Sequence, residues 1–104
     1  MVVALENTRR EWEEGYRRFE AEVRDPVLSP RLHAQLEVVT DELRRQIGQH
    51  FTLAELARRY AEAERWTRAA VAERAPAPNW PRYLAIVEDA AFHLYSRGAV
   101  DYAP

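Results

Sequence analysis

Apolar side chains recur every three or four residues along four segments of this chain. That spacing gathers them into one stripe on an α-helix, and a helix with such a stripe buries it against neighbouring elements. No alternating pattern typical of a strand extends over more than a few residues. The pattern therefore predicts an all-α, four-helix bundle-like single domain. The clearest stripe, in the first segment, consists of Leu5, Trp12, Tyr16, Phe19 and Val23.

Capping residues and helix breakers set the expected boundaries. Ser29 before Pro30 predicts an N-cap and a first helical residue, and Gly48 predicts the end of that helix. Thr52 and Glu55 have the spacing of a capping box. Within one domain of residues 1–104 we expect helices at residues 5–23, 30–47, 52–73 and 81–97. Because the first three are joined by short loops, we expect sequence neighbours to pack antiparallel.

A proline-rich linker at residues 75–81 isolates the fourth helix, since three prolines favour an extended connection. This helix is apolar around nearly half of its circumference, which indicates packing against more than one neighbour. We expect an irregular tail at residues 99–104.

Composition excludes several classes of protein. The chain has 104 residues, no cysteine and a net charge of −2, and every basic residue is arginine. Disulfides, thiolate metal sites and Schiff-base lysines are therefore excluded, and a strongly basic nucleic-acid footprint is absent. No apolar run approaches the length of a membrane span, and no signal peptide is visible. We expect a cytoplasmic protein that has no cofactor and does not contact a membrane.

A metal or acid–base site is one candidate chemistry. Asp89 and His93 lie one helical turn apart, as do His33 and Glu37, and a carboxylate and an imidazole at this spacing can share a metal ion. The di-iron and zinc-protease patterns are both missing. We expect the polar side of the fourth helix to be solvated, so no metal site is predicted, with Asp89 and His93 as the residues to test.

The segment from Phe51 to Tyr60 resembles the first helix of helix-turn-helix DNA-binding proteins, with a small residue at Ala57. The resemblance implies a DNA-binding regulator. The turn glycine of that motif falls at Ala61, however, and residues 61–65 strongly favour helix. We therefore expect one long helix and no recognition helix. DNA binding stays as an alternative, and a nucleic-acid partner is not expected.

Surplus aromatic side chains favour a third possibility, an interaction surface. Aromatic residues and arginine commonly anchor interfaces, and four aromatics do not fit the inward stripes: Trp66, Trp80, Phe92 and Tyr102. We therefore expect a small non-catalytic protein that acts through protein–protein interaction, with a second copy of itself as the favoured partner. The alternatives are a DNA-binding regulator with a degenerate helix-turn-helix and a metal-dependent helical-bundle enzyme.

Overall fold

The computed structural model describes residues 2–75 and 80–99, with side chains from residue 6 to 75 and from residue 82 to 99. This part of the chain confirms the predicted all-α, bundle-like fold and contains no strand. Its helices are α1 (Val2–Glu22), α2 (Ser29–Ile47), α3 (Leu53–Arg74) and α4 (Trp80–Ser96). None of the described helices is long and apolar enough to cross a membrane.

Local capping signals fix the connection between α2 and α3. Gly48 ends α2 with a φ of 88°, a left-handed conformation that favours glycine. The predicted capping box is confirmed at the start of α3. The backbone N–H of Glu55 donates to Thr52 Oγ1 at 3.1 Å, and the backbone N–H of Thr52 donates to Glu55 Oε1 at 2.9 Å.

Helix α1 begins at Val2, three residues before the predicted start, and two other predicted boundaries were also wrong. Ser29 is the first residue of α2 and not its N-cap, because the preceding turn already leads into the helix: its backbone N–H donates to the Asp25 carbonyl at 2.9 Å. The predicted linker at residues 75–81 is too long, since Trp80 and Pro81 belong to α4, where proline is tolerated in the first turn. Residues 76–79 and the tail from residue 100 onward lie outside the described residues.

Helix α4 is the centre of the domain and packs against each of the other three helices. The prediction of more than one neighbour for this helix is confirmed. Its contact with α1 is the most extensive. Gly15 lies against Asp89 near the middle of α4, whereas Glu6 lines a cleft with Arg97 just beyond its end, so the two helices run antiparallel.

The expectation that sequence neighbours pack as antiparallel pairs was wrong for α1 and α2. Helix α2 packs against α3 and α4 and has little contact with α1, because α1 places its apolar stripe on α4. One contact that does join α1 to α2 is an edge-on pair of rings, Phe19 and His33, with centroids 5.6 Å apart.

One chain closes the hydrophobic core. Trp12 from α1, Leu56 from α3 and Phe92 from α4 are fully buried, and Phe51 stacks on Tyr95 with ring centroids 4.7 Å apart. Among large apolar residues with described side chains, only Val27 is strongly exposed, at 73%. A single exposed apolar residue is ordinary for a monomer.

Gly15→Ala should destabilise the domain. A Cβ atom at Gly15 would collide with the base of the Asp89 side chain, which cannot rotate away, so α1 and α4 would have to separate. Overpacking of this kind costs about 1–3 kcal/mol and outweighs the helix propensity gained by alanine. We expect the free energy of unfolding in urea to fall by about 1–2 kcal/mol.

Gly98→Ala is the matched control. Its Cβ would lie in ordinary contact, 3.6 Å from the Tyr95 carbonyl oxygen, and we expect little change in stability. Equal stability of Gly15→Ala and the wild type would contradict the close approach of α1 to α4.

Candidate functional site

Asp89 is half-buried where three helices meet, beside an open cleft lined by Glu11 and Arg18, which corrects the prediction of a fully solvated side of α4. Its carboxylate accepts a hydrogen bond from the hydroxyl of Tyr60 on α3, and its side chain packs on Gly15 of α1. Burial raises the pKa of Asp89, while the bond from Tyr60 opposes that rise. The pKa of Tyr60 is raised by burial and by its bond to Asp89. The hydrogen bond joins α3 to α4 through a part-buried polar contact, and the packing on Gly15 adds α1.

Glu88 is the most deeply buried carboxyl group of α4, with 7% of the residue exposed. It contacts the hydroxyl of Thr67, which is also 2.7 Å from the carbonyl oxygen of Ala63. A hydroxyl has one proton to donate. Both contacts are satisfied when Thr67 donates to Ala63 and a protonated Glu88 donates to Thr67 Oγ1. Burial raises the pKa of Glu88 to about 7, which favours this neutral form.

His93 also faces α1. Its ring stacks on Tyr16 with centroids 5.0 Å apart. Burial lowers the pKa of His93, and the nearby guanidinium group of Arg97 lowers it further. Both effects favour the neutral form of the imidazole.

Asp89 and His93 do not come together as ligands of one metal ion. Asp89 bonds to Tyr60, whereas His93 stacks on Tyr16. No group of three or more metal-ligating side chains occurs among the described residues. The other candidate histidine, His33, is exposed and makes a 2.8 Å contact through Nδ1 with the Ser29 carbonyl of its own helix.

Phe92, predicted to be an exposed interface anchor, is fully buried, and that prediction was wrong. Its ring lies 5.3 Å from Trp12 and 4.9 Å from Tyr60, because the face of α4 that carries it packs against α1 and α3. Of the other three candidates, Trp66 is half-buried against the core. The side chain of Trp80 and all of Tyr102 lie outside what the structure describes.

The segment that resembles the start of a helix-turn-helix belongs to one uninterrupted helix. Helix α3 continues from Leu53 to Arg74, so the turn and the recognition helix of that motif do not form there. Glu64 on the same helix is exposed and pairs with Arg68 at 3.2 Å.

An open cleft of about 380 Å³ lies where the start of α1 meets the end of α4. We call it the arginine cleft; its lining residues are Glu6, Arg9, Arg10, Glu13, His93, Ser96 and Arg97. Within the described part of the chain, none of its three arginines forms an ion pair. The cleft therefore presents three exposed arginines that no described carboxylate pairs.

Comparison with known proteins identifies no relative: no family model, curated protein or solved structure matches this chain.

Sequence reasoning missed Glu88 and the arginine cleft. Glu88 lies four residues before Phe92, so the two side chains share one face of α4. An aromatic residue on a face that otherwise looks polar indicates that this face also packs against a neighbouring helix, and this signal could have identified Glu88 as buried. The cleft joins Arg9 to Arg97, from opposite ends of the chain. No local spacing in the sequence indicates that these two arginines line one cleft, because their proximity depends on α1 packing antiparallel to α4.

Glu88→Gln should remove a pH dependence of stability. With the folded pKa raised from 4.5 to about 7, the folded state keeps a proton that the unfolded chain releases. The stabilisation is full below pH 4.5, falls as pH rises and is lost above about pH 7, a change on the order of 3 kcal/mol. Glutamine should flatten this part of the profile, measured by urea unfolding between pH 4 and about 8.

The matched control is Glu37→Gln on the exposed surface of α2, which should keep the wild-type profile. A wild-type profile in Glu88→Gln would contradict the assignment of the buried proton to Glu88.

Proposed function

We propose that this protein acts without catalysis in the cytoplasm, through protein–protein interaction, and that it associates with a second copy of itself. The observation that carries the proposal is the charge pattern on the outer face of α1. Two acidic residues, Glu13 and Glu14, are followed one turn later by two basic residues, Arg17 and Arg18, and all four are exposed.

This pattern is complementary to itself. A two-fold axis that crosses α1 between residues 15 and 16 would bring Glu14 beside Arg17 of the second copy and Glu13 beside its Arg18. The axis would generate each pair twice, as an isologous contact requires. Within the chain Arg17 lies 3.5 Å from Glu13, and 70% of its side chain is exposed. Arg17 therefore has donors left for a second carboxylate.

The opposite face of α1 is already occupied. Trp12, Gly15 and Phe19 are buried in the domain, so α1 is held in place as a rigid platform and its charged face stays accessible. A platform that is ordered before binding loses less entropy on association.

The strength of this contact should be modest. Exposed ion pairs contribute about 0.2–1 kcal/mol each, and salt screens them over a Debye length of about 10 Å at 0.1 M. We therefore propose a weak, salt-sensitive dimer.

The placement of the ionisable groups supports a non-catalytic role. Catalytic groups need access to substrate, whereas Glu88 is buried and bonds to a buried hydroxyl. Asp89 lines an open cleft, but its carboxylate is engaged by Tyr60. In these contacts the two carboxyl groups join helices to one another.

Single charge reversals should disrupt the dimer, and combining them should restore it. Glu14→Arg places like charges opposite Arg17 of the second copy, and Arg17→Glu places like charges opposite its Glu14. Each variant alone should be monomeric, whereas an equimolar mixture should form a heterodimer. Sedimentation equilibrium at millimolar protein and low ionic strength measures all three samples, and added salt should dissociate the dimers.

A charge reversal on α2, Glu37→Arg, is the matched control, because Glu37 is exposed and lies outside α1. This variant should associate like the wild type. A strictly monomeric wild type at millimolar concentration in low salt would rule out self-association through this face.

A further inference from the structure

We propose that the arginine cleft binds the phosphate group of a small hydroxylated ligand. The cleft shares Glu13 with the proposed dimer contact, whereas Arg9 and Arg97, the arginines proposed to hold the phosphate, take no part in that contact.

The charges that line the cleft favour an anion. Three arginines and two glutamates face it, and Glu13 is partly neutralised because it lies 3.5 Å from Arg17 outside the cleft. Arg9 lies two turns into α1 and Arg97 lies just beyond the end of α4, so their guanidinium groups can approach one anion from two sides. Planar guanidinium groups match the oxygens of phosphate and can donate two parallel hydrogen bonds.

His93 and Ser96 add polar groups to the wall that α4 contributes. The imidazole of His93 is fixed by stacking on Tyr16, so one face of the cleft is rigid before a ligand binds. The charged groups that act on His93 are Arg97 beyond α4 and Arg9, Glu13 and Arg17 on α1. Because a neutral imidazole carries no charge, the arginines neutralise the phosphate group. The imidazole can still donate one hydrogen bond to a phosphate oxygen.

Glu6 selects against a bare polyanion. Its carboxylate lines the same cleft and would repel a second acidic group, but it can accept hydrogen bonds from hydroxyl groups. The volume of about 380 Å³ suits a small molecule with one phosphate and neighbouring hydroxyls. This combination distinguishes a phosphorylated polyol from a polycarboxylate.

Nuclear magnetic resonance of the imidazole of His93 can test the proposal. Glycerol 3-phosphate is titrated into the full chain, and sodium chloride at matched ionic strength serves as the blank. We expect a saturable shift of the His93 signals with glycerol 3-phosphate. A bound dianion should also raise the pKa of His93, because it favours the imidazolium form.

Variants locate the binding site. Arg9→Gln and Arg97→Gln should each weaken binding about tenfold, because each removes a charge-assisted hydrogen bond. Arg31→Gln, an exposed arginine on α2 outside the cleft, is the matched control and should bind like the wild type. Thermal melting of each variant shows that it remains folded.

Two results would overturn the proposal. The first is a shift that does not saturate and that sodium chloride reproduces. The second is an equal loss of binding in Arg31→Gln and Arg97→Gln. Inorganic phosphate binding as tightly as glycerol 3-phosphate would overturn the selection for a hydroxylated ligand. The dimer variant Glu14→Arg should bind glycerol 3-phosphate normally, so failure of one proposal is distinguishable from failure of the other.

Discussion

The enclosure of α4 by the other three helices is the constraint on which the rest of the structure depends. A helix surrounded on most sides cannot keep all of its polar residues in water. Glu88 and Asp89 are therefore carried into helix contacts, where hydroxyl groups of α3 become their partners. Buried polar groups left without partners would cost about 1–3 kcal/mol each, so these bonds help to fix how α3 lies on α4.

The two neighbouring carboxyl groups illustrate how position decides chemistry. Burial raises the pKa of Glu88 to about 7. When its carboxyl group is protonated, it can donate a hydrogen bond to the hydroxyl oxygen of Thr67. Asp89 accepts a hydrogen bond from Tyr60. This bond favours the charged carboxylate and limits the rise in the pKa of Asp89 that burial causes. Holding one proton on Glu88 also reduces repulsion between adjacent acids. The stability of the domain is thereby linked to pH through a group that α4 cannot expose.

Much of the fold was predictable because helical periodicity and capping are local. The Thr52–Glu55 capping box and the Gly48 stop depend on residues a few positions apart, and both formed as expected. Phe92 was misassigned because its face was judged from a single helix, whereas its burial depends on where α1 and α3 lie. The meeting of Arg9 with Arg97 depends on the same tertiary arrangement and leaves no pattern in the sequence.

Helix α1 links the two proposed binding sites, since one face carries the dimer charges and one end carries half of the arginine cleft. Both sites depend on how firmly α1 is held against α4. Gly15 permits the close approach at Asp89, and Tyr16 stacks on His93 one turn farther along α4. A shift of α1 at Gly15 would move Arg9 relative to Arg97 and leave the charge pattern along the outer face of α1 intact. Packing at Gly15 should therefore matter more for the cleft than for the dimer.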